Sequence, residues 1–261
     1  MKKVLSTLLV LASATLHAAG PEVEDHPLRA ASGAAAAGEM VSLSLADGRS
    51  FQNYVIGLDE DRPAVLLIHE WWGLNDHIKE MADALAGLGY GAVAIDLYDG
   101  KVATDPETAG AYSKAAGEQP AEALEKLQAA LEWLNERGNG QVATLGWCFG
   151  GGWSLQASIA NPRLVDATVI YYGMVSDDAQ RLQQLAAPVL GIFANKDQWI
   201  TPESVDAFEA ALTKAGVPHQ IHRYDAEHAF ANPSGPYYAD APARDAWAKT
   251  MDFLGENLNV D

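Results

Sequence analysis

A single cysteine in 261 residues excludes an internal disulfide, and with it any multi-thiolate zinc site. Positive charge is also scarce. Seventeen Lys and Arg stand against 35 Asp and Glu, a formal net charge of −18 at pH 7. A chain so acidic is repelled by polyanions, which argues against nucleic acid or an anionic membrane as its main partner. The acidity itself describes a solvated surface and names no ligand. Beyond the first 16 residues no apolar run is long enough to span a bilayer. His69-Glu70 is not followed by a second histidine at the H-E-x-x-H spacing, and there is no G-x-G-x-x-G or Walker-type loop. No metal and no other cofactor is therefore expected. What the chain does have is an ordinary globular balance, 49% hydrophobic and 20% charged, with ample length to bury a core.

The start, "MKKVLSTLLVLASATLHAAG", pairs a Lys2-Lys3 positive region with an uncharged apolar stretch from Val4 to Leu16 and small residues at Ala18 and Ala19. This is the layout of a secretory signal peptide over 1–19, cleaved after Ala18 or Ala19. An Ala/Gly-rich flexible lead-in is expected over 20–40 and one domain over 41–261. The expected product is exported, into a bacterial periplasm, as a soluble monomer or small homo-oligomer with no stable membrane anchor. Export sharpens the question of the lone Cys148. It is a buried bystander, an intermolecular link or a working thiol.

From residue 40 the pattern becomes regular. "EMVSLSLADGRSFQNYVIG" alternates around Asp47-Gly48, a hairpin signal. Continuous apolar runs at 63–70 and 91–98 read as strands buried on both faces. Further strands are predicted at 141–147, 167–173, 187–197 and 219–225. Helices are predicted from Asn75 or Asp76 to the following glycines, over 120–138, from 151 to 160, over 201–216 behind a Thr201 cap, and over 242–258. Strands alternating with helices imply a mostly parallel, doubly wound sheet, with helices on both faces and an antiparallel N-terminal hairpin at one edge. A (β/α)₈ barrel fits less well, because no helix separates the first two strands.

In such sheets the functional residues lie beyond the carboxyl ends of the strands. Collected there are His69, Glu70, Trp71 and Trp72; then Lys101; then Trp147, Cys148 and Phe149; then Asp197; then His228 and Phe230. Gly146-Trp147-Cys148-Phe149-Gly150 fits G-x-C-x-G between a strand and a helix, a nucleophile elbow with sulfur in place of oxygen. The helix N-terminus behind it favours thiolate. A nucleophile needs a base and the base an orienting acid, and the chain order Cys148, Asp197, His228 supplies both. Asp177 and Asp178 are rival acids. His26, His77, His219 and His222 are less well placed as the base. Two backbone N–H groups, of Phe149 and Trp71, are the expected oxyanion donors.

These segments, "IHEWWGLNDHIKEMADALAGLGYGAVAIDLYDGKVATD", "LGWCFGGG", "ANKDQWITPESV" and "YDAEHAFANP", resemble the dienelactone hydrolase (carboxymethylenebutenolidase-like) family of α/β-hydrolases, from about residue 40 to the C-terminus. The resemblance implies an α/β-hydrolase fold and a Cys148–His228–Asp197 triad that hydrolyses a small ester or lactone through an acyl-enzyme. It also implies that Glu70 contacts the resting thiol and keeps it protonated until substrate arrives. The chain departs from the best-known members in carrying an apparent signal peptide. It also has Lys101 and Asn232 near the places where they hold a substrate carboxylate with arginine. Trp72, Lys101, Phe230 and Asn232 are the expected substrate contacts. A thioesterase or acyl transferase on the same elbow is the alternative enzyme, and a non-catalytic periplasmic binding protein the alternative without chemistry.

Overall fold

The computed structural model describes residues 36–259. The proposed signal peptide and residues 20–35 of the lead-in fall outside them. Eight strands form one sheet: β1 (Glu39–Ser44), β2 (Ser50–Ile56), β3 (Ala64–Ile68), β4 (Gly91–Ile95), β5 (Val142–Trp147), β6 (Ala167–Tyr171), β7 (Val189–Ala194) and β8 (His219–Tyr224). Their spatial order is β1-β2-β4-β3-β5-β6-β7-β8. β1 and β2 form the antiparallel hairpin, and β2 runs antiparallel to β4; from β4 to β8 every neighbour is parallel.

The apolar runs of β3 and β4 have no polar alternation because both sides of the sheet are covered. Val65, Leu67, Ala92 and Ala94 enter one core with Ile78, Met81 and Leu85 of helix α1 (Asp76–Gly87) and Trp247, Phe253 and Leu254 of helix α7 (Asp240–Asn257). Leu66, Ile68, Val93 and Ile95 face the other way, onto Leu127, Leu131 and Leu134 of helix α3 (Pro120–Arg137) and Trp153 of helix α4 (Phe149–Ala160). A third cluster joins α4, the short α5 (Ala179–Leu182) and α6 (Pro202–Ala215) to β6 and β7. The local signals place the ends. Asn75 caps α1 by accepting from the Ile78 N–H at 3.2 Å, and Gly216 closes α6 in the left-handed region at φ 74°.

Two helices escape the sequence pattern. α2 (Pro106–Glu118) has a cap, Asp105, and Pro106 in its first turn, but only Ala109 is buried, so no apolar stripe announces it. α5 is a single turn, begun by Asp178 accepting from the N–H groups of Gln180 and Arg181.

The order β4-β3-β5 has a functional consequence. After β3 the chain moves outward to β4 and then returns to β5 on the other side. The segments that follow β3 and β5 therefore leave adjacent strands toward opposite faces. They open a crevice at the sheet's carboxyl edge, where open α/β sheets hold ligands. Glu70 and Trp71 follow β3, and Cys148 follows β5.

Candidate active site

Cys148 sits at φ 54°, ψ −116°, a conformation that costs a non-glycine residue about 1–3 kcal/mol. Its neighbours enforce it. The Cys148 N–H donates to Tyr171 O at 2.9 Å, and its carbonyl accepts from the Gly152 N–H at 3.2 Å. A methyl group on Gly146 would run into the Gly150 carbonyl, and one on Gly150 into the Ile68 carbonyl. One on Gly151 would lie 2.7 Å from Tyr171 O. The glycines let strand, bend and helix approach at backbone distance, and the thiol is left partly exposed at the crest.

His228 Nδ1 hydrogen bonds Asp197 Oδ2 at 2.6 Å, and the imidazole is also within hydrogen-bonding reach of the Cys148 thiol. Burial opposes charge on this ring, yet the Asp197 and Cys148 hydrogen bonds outweigh it and push the imidazole up to about 10. Asp197 is held from both sides. Its Oδ1 accepts from the Trp199 and Ile200 N–H groups at 2.8 and 3.0 Å. Burial works against the ionised carboxylate, but the His228 and backbone hydrogen bonds keep it below its usual range. Asp177 and Asp178 lie elsewhere, Asp178 spending its carboxylate on α5.

Glu70 is buried and its Oε2 accepts from Asn232 Nδ2 at 2.5 Å, across 162 residues of chain. The hydrogen bond that the Glu70 carboxyl makes is with Asn232; among the described residues none joins it to the Cys148 thiol. Desolvation pushes Glu70 up to about 7, with the Asn232 amide and the His228 charge pulling the other way.

The backbone N–H groups of Trp71 and Phe149 have no hydrogen-bond partner among the described residues. Both loops are stapled by His69, which is fully buried. Its Nε2 lies 3.2 Å from the Leu97 N–H, which can only donate, so Nε2 accepts and Nδ1–H donates to Glu70 O at 2.6 Å. Burial keeps this imidazole below its usual pKa and therefore neutral. The same ring stacks on Phe149, centroids 5.7 Å apart and planes within 12°. One side chain thus fixes the loop after β3 and rests on the first residue of α4.

Other expected contacts are placed differently. Phe230 is wholly buried in the core between Tyr172 and Tyr224, with centroids at 5.6 and 5.1 Å, so it supports the site from behind and meets no substrate. Lys101 is exposed, its Nζ 5.8 Å from the Tyr112 ring centroid. It lines a cavity of about 130 Å³ with Lys126, Asp99 and Glu122, to which Cys148, His228 and Glu70 do not contribute. Trp72 is half-buried, edge-to-face with Trp71 at 5.1 Å.

Three residues were not foreseen. Tyr172 packs 5.1 Å from the His228 ring at φ 36°, with its buried hydroxyl unpartnered. The Tyr98 hydroxyl is likewise buried and unpartnered. Burial raises the pKa of both phenols, and the charges of Cys148 on both, and of Glu70 on Tyr172, raise them further. Trp199, 70% exposed, lies edge-on to His228 at 5.2 Å. All three sit just past the observed strand ends, but Tyr98 and Tyr172 fall inside the predicted runs 91–98 and 167–173, so only Trp199 was within reach of the strand-end rule.

The dienelactone hydrolase family model matches residues 51–258. The chain belongs to the dienelactone hydrolase family. "Protein usf" of Aquifex pyrophilus is 30% identical over 230 residues, covering 85% of this chain and 99% of the relative. A protein of Aquifex aeolicus provisionally named a carboxymethylenebutenolidase is 29% identical, covering 83% and 97%. Among solved structures, a dienelactone hydrolase-like promiscuous phosphotriesterase from metagenomic libraries superimposes with TM-score 0.75 at 24% identity, over 85% of this chain and 99% of that one. The dienelactone hydrolase family places the chain among carboxylic ester hydrolases, acting on bonds of the ester and lactone type, with the α/β-hydrolase fold.

Proposed function

We propose that this dienelactone hydrolase family member cleaves a small carboxylic ester or lactone by double displacement on Cys148. The observation that carries the reading is the 2.6 Å His228–Asp197 hydrogen bond, with the imidazole in reach of a thiol raised on a strained elbow. His228, whose raised basicity comes from Asp197 and Cys148, takes the Sγ proton before attack, and sulfur adds to the carbonyl carbon as thiolate. The carbonyl electrons move onto oxygen, facing the free N–H groups of Trp71 and Phe149, each worth about 3–4 kcal/mol to the transition state. Collapse expels the alkoxide, which takes the proton from His228, and the acyl group remains on sulfur. Water then gives a proton to His228 and attacks the thioester. The second collapse releases the acid, and the proton returns to sulfur. Asp197 holds the ring with Nδ1 facing it and supports the imidazolium that forms twice.

Glu70 stands beside this path without a step of its own, as a carboxyl that can exchange its proton near neutral pH. The charge pattern of residues 1–19 supports export to a periplasm.

The test is an ester and lactone panel on wild type and Cys148→Ala, with intact mass of the enzyme after rapid quenching. Wild type is expected to turn over and to carry the acyl mass on Cys148. Cys148→Ala is expected to lose activity by at least about 10³-fold. A mild loss would assign the nucleophile elsewhere. Adding an alcohol acceptor separates hydrolysis from acyl transfer by product.

A further inference from the structure

We propose that the substrate of this site is an uncharged, apolar ester or lactone, carrying no carboxylate or phosphate of its own. This rests on the cysteine-hydrolase reading above and narrows it. The side chains that meet at the crevice are two buried carboxyls, Glu70 and Asp197, one imidazole and one thiol. The cations that follow strands at this edge are either ion-paired or line a cavity to which Cys148, His228 and Glu70 do not contribute. Lys196 Nζ lies 2.9 Å from Asp225, and Arg223 bridges Asp206 at 2.7 Å and Glu209 at 3.1 Å. Lys126 is buried against Asp99 at 2.6 Å, and Lys101 lies over Tyr112. Asn232 gives one amide N–H to Glu70 Oε2 and carries no charge with which to hold an anion.

An anionic substrate would therefore enter a site whose imidazolium is already paired with Asp197, beside a second buried carboxyl, Glu70, and with no guanidinium or ammonium bonded into it. It would also lose hydration that nothing replaces. The acidic molecule as a whole opposes its approach. A cationic substrate meets the opposite difficulty, because the His228 imidazolium stands at the reacting centre. What lies beside these residues is aromatic surface: Trp199 is exposed edge-on to His228, and Trp71 and Trp72, half-buried in the loop after β3, stand edge-to-face. Flat indole faces with no charged partner fit an apolar acyl or alkyl group.

Three chromogenic 4-nitrophenyl esters of similar length decide it: the butyrate, the hemisuccinate and the 4-(trimethylammonio)butyrate. Wild type is expected to favour the butyrate in kcat/KM over the hemisuccinate by about 100-fold, and over the cationic ester by at least about 10-fold, in low salt. Asn232→Arg is expected to narrow the first gap by about 10-fold or more. Inhibition of wild type by butyrate against butyramide gives a second reading free of any folding defect in the variant, with butyramide expected to bind tighter. A preference for either charged ester, or tighter binding of butyrate, overturns the substrate class while leaving the cysteine mechanism standing. Failure to turn over any of the three, with no acyl mass on Cys148, overturns both.

Discussion

At the scale of single residues, Glu70 shows what burial does to a charge. Its carboxyl is raised from 4.5 to about 7 because the ionised form loses more to desolvation than Asn232 and His228 return. The linked effect on stability follows in sign. Between about pH 4.5 and pH 7 the folded state holds a proton that the unfolded chain has released, so stability falls as pH rises through this window. Above it the buried charge costs about 3 kcal/mol. Glu70→Gln keeps an oxygen acceptor for Asn232 and removes the charge. It is expected to raise the unfolding free energy by about 2–3 kcal/mol at pH 8 and to change it little at pH 5. Denaturant melts at the two pH values check this, and an equal effect at both would refute the burial argument. Glu70 stood out in the sequence as a carboxylate beyond β3, but its partner did not. Asn232 lies 162 residues away, and only packing says which donor turns toward which acceptor.

At the scale of elements, the turn from β5 into α4 is where the backbone leaves no room. Gly150→Ala would place a methyl group against the Ile68 carbonyl and within 2.6 Å of the His69 carbonyl, on the strand that carries the oxyanion loop. Its expected cost is at least about 2 kcal/mol, with a disproportionate loss of kcat. Gly110, inside α2, has open space where a methyl group would stand, with nothing within 4 Å, and Gly110→Ala is expected to stabilise by about 0.5–1 kcal/mol. Thermal melts of the two variants with one activity assay check the pair; similar effects from both would mean that the elbow tolerates a side chain. The elbow was legible because its demand is local: G-x-C-x-G between a strand run and a helix run has few other uses. α2 was not legible, since a helix that buries one alanine leaves no periodic trace.

At the scale of the whole molecule, the order β4-β3-β5 brings the loop after β3 beside the elbow after β5, and β7 and β8 lie side by side so that Asp197 and His228 meet. The N-terminal segment belongs to this scale too, since the proposed export would set where the molecule works. Expressed with its own start in a Gram-negative host, the chain is expected in the periplasmic fraction with its N-terminus at Ala19 or Gly20. N-terminal sequencing checks it, and an intact Met1 in the cytosol would overturn export. By itself the sequence determined the strands buried on both faces, the glycine-crowded bend and the roster of side chains along one edge, because these follow from periodicity and short-range sterics. The tertiary structure alone decided that Glu70 bonds Asn232, that Phe230 belongs to the core, that Lys101 stands over Tyr112, and that Tyr172 and Trp199 flank His228. Those outcomes depend on which distant elements close over each side chain, and burial from two sides is a property of packing that no local pattern encodes.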